Sequence, residues 1–182
     1  MIGKRNLYLI GSMGSGKTAV GRQLARLLNV PFYDSDAEVV RRAGVDIPYI
    51  FEQEGEAGFR EREREAIEAI TQLEPIVLAT GGGAILMAEN RKRLIDSGTV
   101  IYLDTSLPQQ LQRVGTGRGR PLLRDGDLAE RLRRLRIDRE PFYMGMADYV
   151  VSTDHRRVSK VAEHILREVR GHEGPIPQLD EA

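Results

Sequence analysis

The chain has 182 residues, which suits one domain or a core with small insertions, and a chain of this size buries roughly 70% of its unfolded surface. It contains no cysteine, which excludes disulfides, thiolate zinc sites and cysteine nucleophiles. Lys and Arg total 27 and Asp and Glu total 27, so the formal net charge is zero, and that balance argues against a protein devoted to nucleic acid or to anionic membranes. No apolar stretch approaches the ~20 residues of a membrane span. Met1–Asn6 leads straight into the first apolar run, leaving no room for a signal peptide, so a soluble cytoplasmic protein is expected.

Leu7–Ile10 is a short apolar run that predicts a strand. It feeds Gly11-Ser12-Met13-Gly14-Ser15-Gly16-Lys17-Thr18, a complete G-x-x-x-x-G-K-T phosphate-binding loop. A helix is predicted over Lys17–Leu28, with Val20, Leu24, Leu27 and Leu28 on one face. In this strand–loop–helix context the glycines let the backbone curl. Successive N–H groups, from Gly14, Ser15 and Gly16 through Ala19, then point at phosphate oxygens. The positive end of the helix adds to the attraction. Lys17 is placed to reach the β- and γ-phosphates, and the Thr18 hydroxyl to ligate Mg²⁺. A nucleoside triphosphate is the expected ligand.

Pro31–Tyr33 reads as the second strand and Ser35–Arg42 as the next helix. Between them, Asp34 and Asp36 are two apart on an extended segment and can face one side. One suits Mg²⁺ or its waters, and the other a substrate hydroxyl. The same Asp-Ser-Asp string is an ordinary helix N-cap. Its place at a strand end beside a phosphate loop favours function for at least one of the two.

Ala57–Gln72 is helical and charge-rich, and most of its charges read as solvated i,i+4 pairs. Ile76–Ala79 predicts the third strand, followed by Thr80-Gly81-Gly82-Gly83. Three glycines in a row are entropically costly, and close backbone approach to a ligand is the expected reason. A helix near Asn90–Ser97 precedes a strand at Val100–Leu103. Ser106-Leu107-Pro108-Gln109 is a capping box that opens a helix running to Arg113.

Residues 115–127 are rich in Gly and Arg and poor in apolar side chains. They predict a lid, from which Arg118 and Arg120 can bring charge to a transferring phosphoryl group. A helix over Leu128–Arg139, a strand at Tyr149–Val151 and an amphipathic helix over Val158–Arg170 complete the domain. Arg131–Arg139 also admits an RNA contact, a minor reading given the missing stacking aromatics. His155, His164 and His172 lack metal-ligand spacing. Residues 171–182 read as a flexible tail. Alternating strands and helices predict an α/β domain with a parallel sheet, undivided over residues 1–170. Its ligands belong beyond the carboxyl ends of the strands.

The segments G-S-M-G-S-G-K-T, F-Y-D-S-D, G-F-R-E-R-E, A-T-G-G-G, R-P-L-L and R-x-P-x-Y (Arg139 to Tyr143) stand in the order and spacing of one family. From Asn6 to Val169 the chain resembles the shikimate kinases of the bacterial single-domain type. The resemblance implies a three-layer P-loop fold of the nucleoside-monophosphate-kinase type. Its five-stranded parallel sheet has the order 2-3-1-4-5, with helices on both faces. A substrate-binding helical region near residues 35–63 and the lid at 115–127 would close over it.

The implied activity is transfer of the γ-phosphate of ATP, with Mg²⁺, to the 3-hydroxyl of shikimate. Lys17, Asp36 and Arg120 are the implied catalytic residues. Thr18 and Asp34 are implied at the metal, and Arg113 and Asp154 beside the nucleotide. Asp36, Arg60, Arg139 and the backbone of Gly81, Gly82 and Gly83 are implied at the substrate, with Glu63 behind Arg60. Spacing alone does not select Arg60 and Arg139 from their neighbours. A monomer without nucleic-acid or membrane partners is expected. The competing readings are a gluconate or nucleoside-monophosphate kinase of the same fold, and a nucleotide-binding module without turnover.

Overall fold

Both faces of the central strand are apolar, and that dictates the layering. In the computed structural model, which describes residues 6–115 and 127–171, the first strand is β1 (Asn6–Ile10). Its Leu7 and Leu9 join Val77, Ile101, Leu103 and Val151 against α1 (Lys17–Leu28) and α7 (Val158–Gly171). Its Tyr8 and Ile10 join Leu78, Val100 and Tyr102 on the other face. There they meet side chains of α3 (Ile47–Ile70), α4 (Ala88–Ser97) and α6 (Leu128–Met146). Fully burying each such side chain contributes about 1.5–3 kcal/mol. Burial on both sides is why these strands read as continuous apolar runs.

The remaining strands are β2 (Phe32–Asp34), β3 (Val77–Ala79), β4 (Gly98–Asp104) and β5 (Tyr149–Ser152). All pair in parallel, in the order β2-β3-β1-β4-β5. Crossovers therefore leave β1 in both directions, and the carboxyl ends of the strands form the crevice where ligands bind in such sheets. The fold class and strand order expected from the sequence hold.

Two further helices stand near that crevice, α2 (Ser35–Ala43) and α5 (Leu107–Val114). Ser106 caps α5 by accepting from the Gln109 N–H at 3.5 Å. Val39 of α2 and Ile50, Phe59 and Ala66 of α3 form a separate small apolar cluster with Ala43, Ile47 and Phe51. The Phe51 and Phe59 rings lie 5.0 Å apart.

Two helices outrun their sequence-based bounds. The first is α3, which starts at Ile47, well before Ala57. Asp46 caps it, accepting from the Tyr49 N–H at 2.9 Å, and Pro48 sits in the first turn. Gly55 then breaks the helix at φ 69°, ψ −175°, a conformation that favours glycine. The second is α6, which runs through Pro141 to Met146 instead of stopping at Arg139. Proline removes one rung, leaving the carbonyl of Ile137 unpaired within the helix. Ile137 is 58% exposed, so water can satisfy it, while Tyr143 and Met146 anchor the far end in the core. Of the expected lid, residues 116–126 lie outside the described residues, Arg118 and Arg120 among them, as does the expected tail from residue 172.

Candidate active site

The turn after β1 ends on Gly16, the left-handed N-cap of α1, whose carbonyl accepts the Val20 N–H at 2.9 Å. Lys17 is nearly buried at the mouth of this loop, its ammonium donating to the carbonyls of Gly11 and Ser12 at 2.8 Å each. The Thr18 hydroxyl donates to Asp34 Oδ2 at 2.8 Å. The other oxygen of Asp34 caps α2, accepting the N–H groups of Asp36 at 3.1 Å and Ala37 at 3.2 Å. One carboxylate thus caps a helix and faces the loop hydroxyl.

The glycine turn after β3 is tied to the end of β2, because the Gly81 N–H donates to Ser35 Oγ at 2.8 Å. A Cβ on Gly81 would collide with Glu63 Oε1 and Asp36 Oδ1, and one on Gly83 with the Arg60 guanidinium. At Gly81 and Gly83 it is close approach, rather than backbone torsion, that favours glycine, since a Cβ would push these side-chain ends aside. The near neighbours are the charged side chains of the site itself.

Arg60 donates to Glu63 Oε2 at 2.7 Å and to Glu56 Oε1 at 3.1 Å. Glu63 is 0% exposed, and its Oε1 has no hydrogen-bond partner among the described residues. Burial pushes its carboxyl up to about 7; the Arg60 charge opposes that shift and the Asp36 charge adds to it. Arg139 of α6 is 4% exposed. Most other arginines of α3 and α6 are more exposed and paired with carboxylates, as Arg62 is with Glu54 and Arg133 with Glu130.

Arg113 of α5 donates to Thr153 Oγ1 and to the Thr153 carbonyl at 2.9 and 2.8 Å, and to the Gly14 carbonyl at 3.3 Å. Asp154 accepts from Thr105 Oγ1 and the Ser106 N–H, each at 2.9 Å, and so joins the ends of β4 and β5. Desolvation of its carboxyl is outweighed by these hydrogen bonds, which hold it below the usual carboxylate range.

One cavity of about 530 Å³ gathers most of these groups. Gly14, Gly16, Lys17, Thr18, Ala19 and Arg113 line it, together with Asp34, Asp36, Arg60, Glu63, Gly81, Gly82, Gly83 and Arg139. Ser15 is buried behind the loop, and Asp154 is not on the wall. Ile47, Phe51, Phe59 and Met13 add apolar wall that the sequence reading did not assign. Phe59 had a signal, its place beside Arg60; Ile47 and Phe51 were hidden in the unpredicted half of α3. Among the described residues no three His, Asp or Glu side chains cluster as a metal cage. Two oxygens from Thr18 and Asp34 do fit Mg²⁺, which binds through one or two protein oxygens plus phosphates and water. No helix among the described residues is long and apolar enough to cross a membrane.

The shikimate kinase family model matches residues 13–170. A shikimate kinase of Legionella pneumophila is 51% identical over 92% of this chain and 95% of its own. One from Nitrosococcus oceani is 49% identical over 95% of this chain and 91% of its own. The solved structure of shikimate kinase from Acinetobacter baumannii in complex with shikimate superposes with a TM-score of 0.92, at 44% identity over 94% of this chain and 96% of that one. With the parallel sheet, the phosphate loop and the two shielded guanidiniums of one cavity already in place, these matches settle the family: the chain belongs to the shikimate kinases.

Proposed function

We propose that this chain transfers the γ-phosphate of ATP to the 3-hydroxyl of shikimate, giving 3-phosphoshikimate and ADP. One observation carries the reading. A single cavity has a phosphate-binding loop on one wall and two guanidiniums, Arg60 and Arg139, shielded from water on another, with Asp36 also on its lining. A loop alone would suit any nucleotide-binding module, and a nucleotide acceptor has no carboxylate to grip.

The roles follow from the chemistry of each group. A guanidinium fork matches a carboxylate bidentately, so Arg60 and Arg139 hold the substrate carboxylate, with Glu63 orienting Arg60. Asp36 accepts the proton of the 3-hydroxyl as its oxygen bonds to the γ-phosphorus and the bond to the β-phosphate oxygen breaks. Lys17 and the loop N–H groups hold the β- and γ-phosphates. Thr18 and Asp34 hold Mg²⁺, directly or through water, and the ion neutralises triphosphate charge when bound. Arg113 faces the nucleotide, and Asp154 supports that corner by fixing Thr105 and Ser106. Arg120 supplies charge to the moving phosphoryl group. The Gly81–Gly83 backbone contacts the substrate ring. We place the reaction in the cytoplasm, beside its ATP supply, and assign it to a monomer.

A coupled ADP-release assay with Mg·ATP and shikimate, quinate, gluconate or AMP tests the assignment. Strong stimulation by shikimate alone is expected. A better response to gluconate or AMP would make it a different kinase of this fold, and no response to any acceptor would leave only a nucleotide-binding module.

A further inference from the structure

Gln110 of α5 is 1% exposed and is not on the cavity wall. Its Nε2 donates to the carbonyl of Met13 at 2.8 Å, and so reaches the phosphate loop from behind. One turn further along α5, Arg113 donates to the next loop carbonyl, that of Gly14, at 3.3 Å. Residues three apart share a helix face, so α5 holds two consecutive carbonyls of the loop. Gly14 packs directly on that helix: a Cβ there would come within 2.9 Å of Val114 Cγ2 and 3.5 Å of Gln110 Cγ. The helix is fixed in turn, because Arg113 bonds to Thr153 and the Ser106 N–H to Asp154. The other half of the Gln110 amide is idle. Its Oε1 is buried and has no hydrogen-bond partner among the described residues. A buried acceptor without a partner costs free energy, so an apolar side chain of the same size would serve the packing of α5 better. What the amide adds is the bond to Met13.

We propose that Gln110 is a positioning residue for nucleotide binding: its amide holds the Met13 carbonyl toward α5 and so aims the Gly14 N–H at the triphosphate. The inference rests on the reading of this loop as the phosphate site. The Met13–Gly14 peptide is trans, and in a planar trans peptide the C=O and the N–H point in opposite directions. A carbonyl drawn back to α5 leaves the N–H on the cavity side, where Gly14 forms part of the lining. Without the bond that peptide is free to turn, all the more readily beside a glycine. A turned peptide presents oxygen, not N–H, to the phosphates. The bond acts on the phosphate loop, so its influence falls on the nucleotide and not on the acceptor.

Gln110→Met keeps the length and bulk of the side chain and removes the donor. The expected outcome is a Kd for Mg·ADP raised about fivefold in a calorimetric titration, the size of one lost neutral hydrogen bond. The KM for ATP should rise to match, with kcat and the shikimate KM within about twofold of wild type, because the loop is held equally before and during transfer. The melting temperature should stay within about 2 °C of wild type, since the idle acceptor leaves with the donor. Gln110→Ala should weaken Mg·ADP equally but melt lower, because it also leaves a cavity. An unchanged Kd in Gln110→Met would overturn the role. So would a loss confined to Gln110→Ala, which would tie it to packing, or an equal rise in the shikimate KM. The titration needs no acceptor. A wild type that binds Mg·ADP but gives no shikimate-dependent ADP release would contradict the kinase reading alone, and the Kd values would still decide the role of Gln110. A wild type that binds no Mg·ADP would overturn both.

Discussion

Asp34 serves two masters with two oxygens, and a single-atom exchange separates them. Oδ1 caps α2 through the N–H groups of Asp36 and Ala37, while Oδ2 faces the Thr18 hydroxyl. Asparagine caps a helix about as well as aspartate, whereas alanine costs about 1 kcal/mol. Losing the negative charge at the helix N-terminus costs a few tenths of a kcal/mol more in either variant. With the amide oxygen kept as the cap, the amide nitrogen that takes the place of Oδ2 has no lone pair for a cation, so the proposed Mg²⁺ contact would be lost. Loss of such a group typically weakens metal binding by about 10- to 100-fold.

Asp34→Asn should therefore melt within about 1–2 °C of wild type, and Asp34→Ala roughly 3–5 °C lower, for a chain of this length. Both variants should need about 10- to 100-fold more Mg²⁺ for half-maximal ADP release. A thermal melt and a Mg²⁺ titration of the rate read the two effects independently. Wild-type Mg²⁺ dependence in Asp34→Asn would reduce Asp34 to a cap. A melting loss in Asp34→Asn equal to that of Asp34→Ala would remove the capping role instead.

Arg139→Ala removes a shielded charge that, as the proposed clamp, would grip the substrate away from the reacting atom. The lost interaction is about 3 kcal/mol, so the shikimate KM should rise roughly 100-fold with a much smaller change in kcat. An unchanged KM with a collapsed kcat would move Arg139 to the phosphoryl group. Glu63 gives a pH test. Its carboxyl is raised from 4.5 to about 7 in the folded protein, so the fold holds the proton more tightly than the unfolded chain does. That contribution is complete below about pH 4.5 and is lost as the pH rises through about 7. Wild type should therefore lose about 3 kcal/mol relative to Glu63→Gln between pH 4.5 and pH 8, measured by urea unfolding at each pH. A constant difference between the two proteins would mean that the fold does not raise the Glu63 carboxyl above its unfolded value.

What the sequence made legible was local. The phosphate loop is contiguous, and α1 begins and ends where its pattern says, at Lys17 and Leu28. Strands buried on both faces announce themselves as apolar runs. The start of β4 did not, because Gly98 reads as a helix stop; it is glycine because a Cβ would collide with the ring of Tyr8, a neighbour distant in sequence. Pro141 misled for a similar reason, since the packing of Tyr143 and Met146 overrides a local helix breaker. The first half of α3 carried a readable Asp46-Ile47-Pro48 start that the acidic, glycine-containing stretch after it obscured.

The site was legible only in part. Arg60 and Arg139 sit among arginines with the same local pattern, and what sets them apart is burial, which depends on where α3 and α6 meet the glycine turn. Family motifs supplied what spacing did not. The Asp-Ser-Asp string carried two competing readings, a cap and a site carboxylate; in the structure Asp34 Oδ1 is the cap while Oδ2 accepts from the Thr18 hydroxyl.

The most direct test of the central claim is to follow the phosphorus itself. The protein is mixed with Mg·ATP and shikimate, and the products are read by ³¹P NMR with proton coupling. The account predicts one new phosphomonoester, coupled to the ring proton at C3, formed in equal amount with ADP. Inorganic phosphate in place of that ester, or an ester at another hydroxyl, would contradict it.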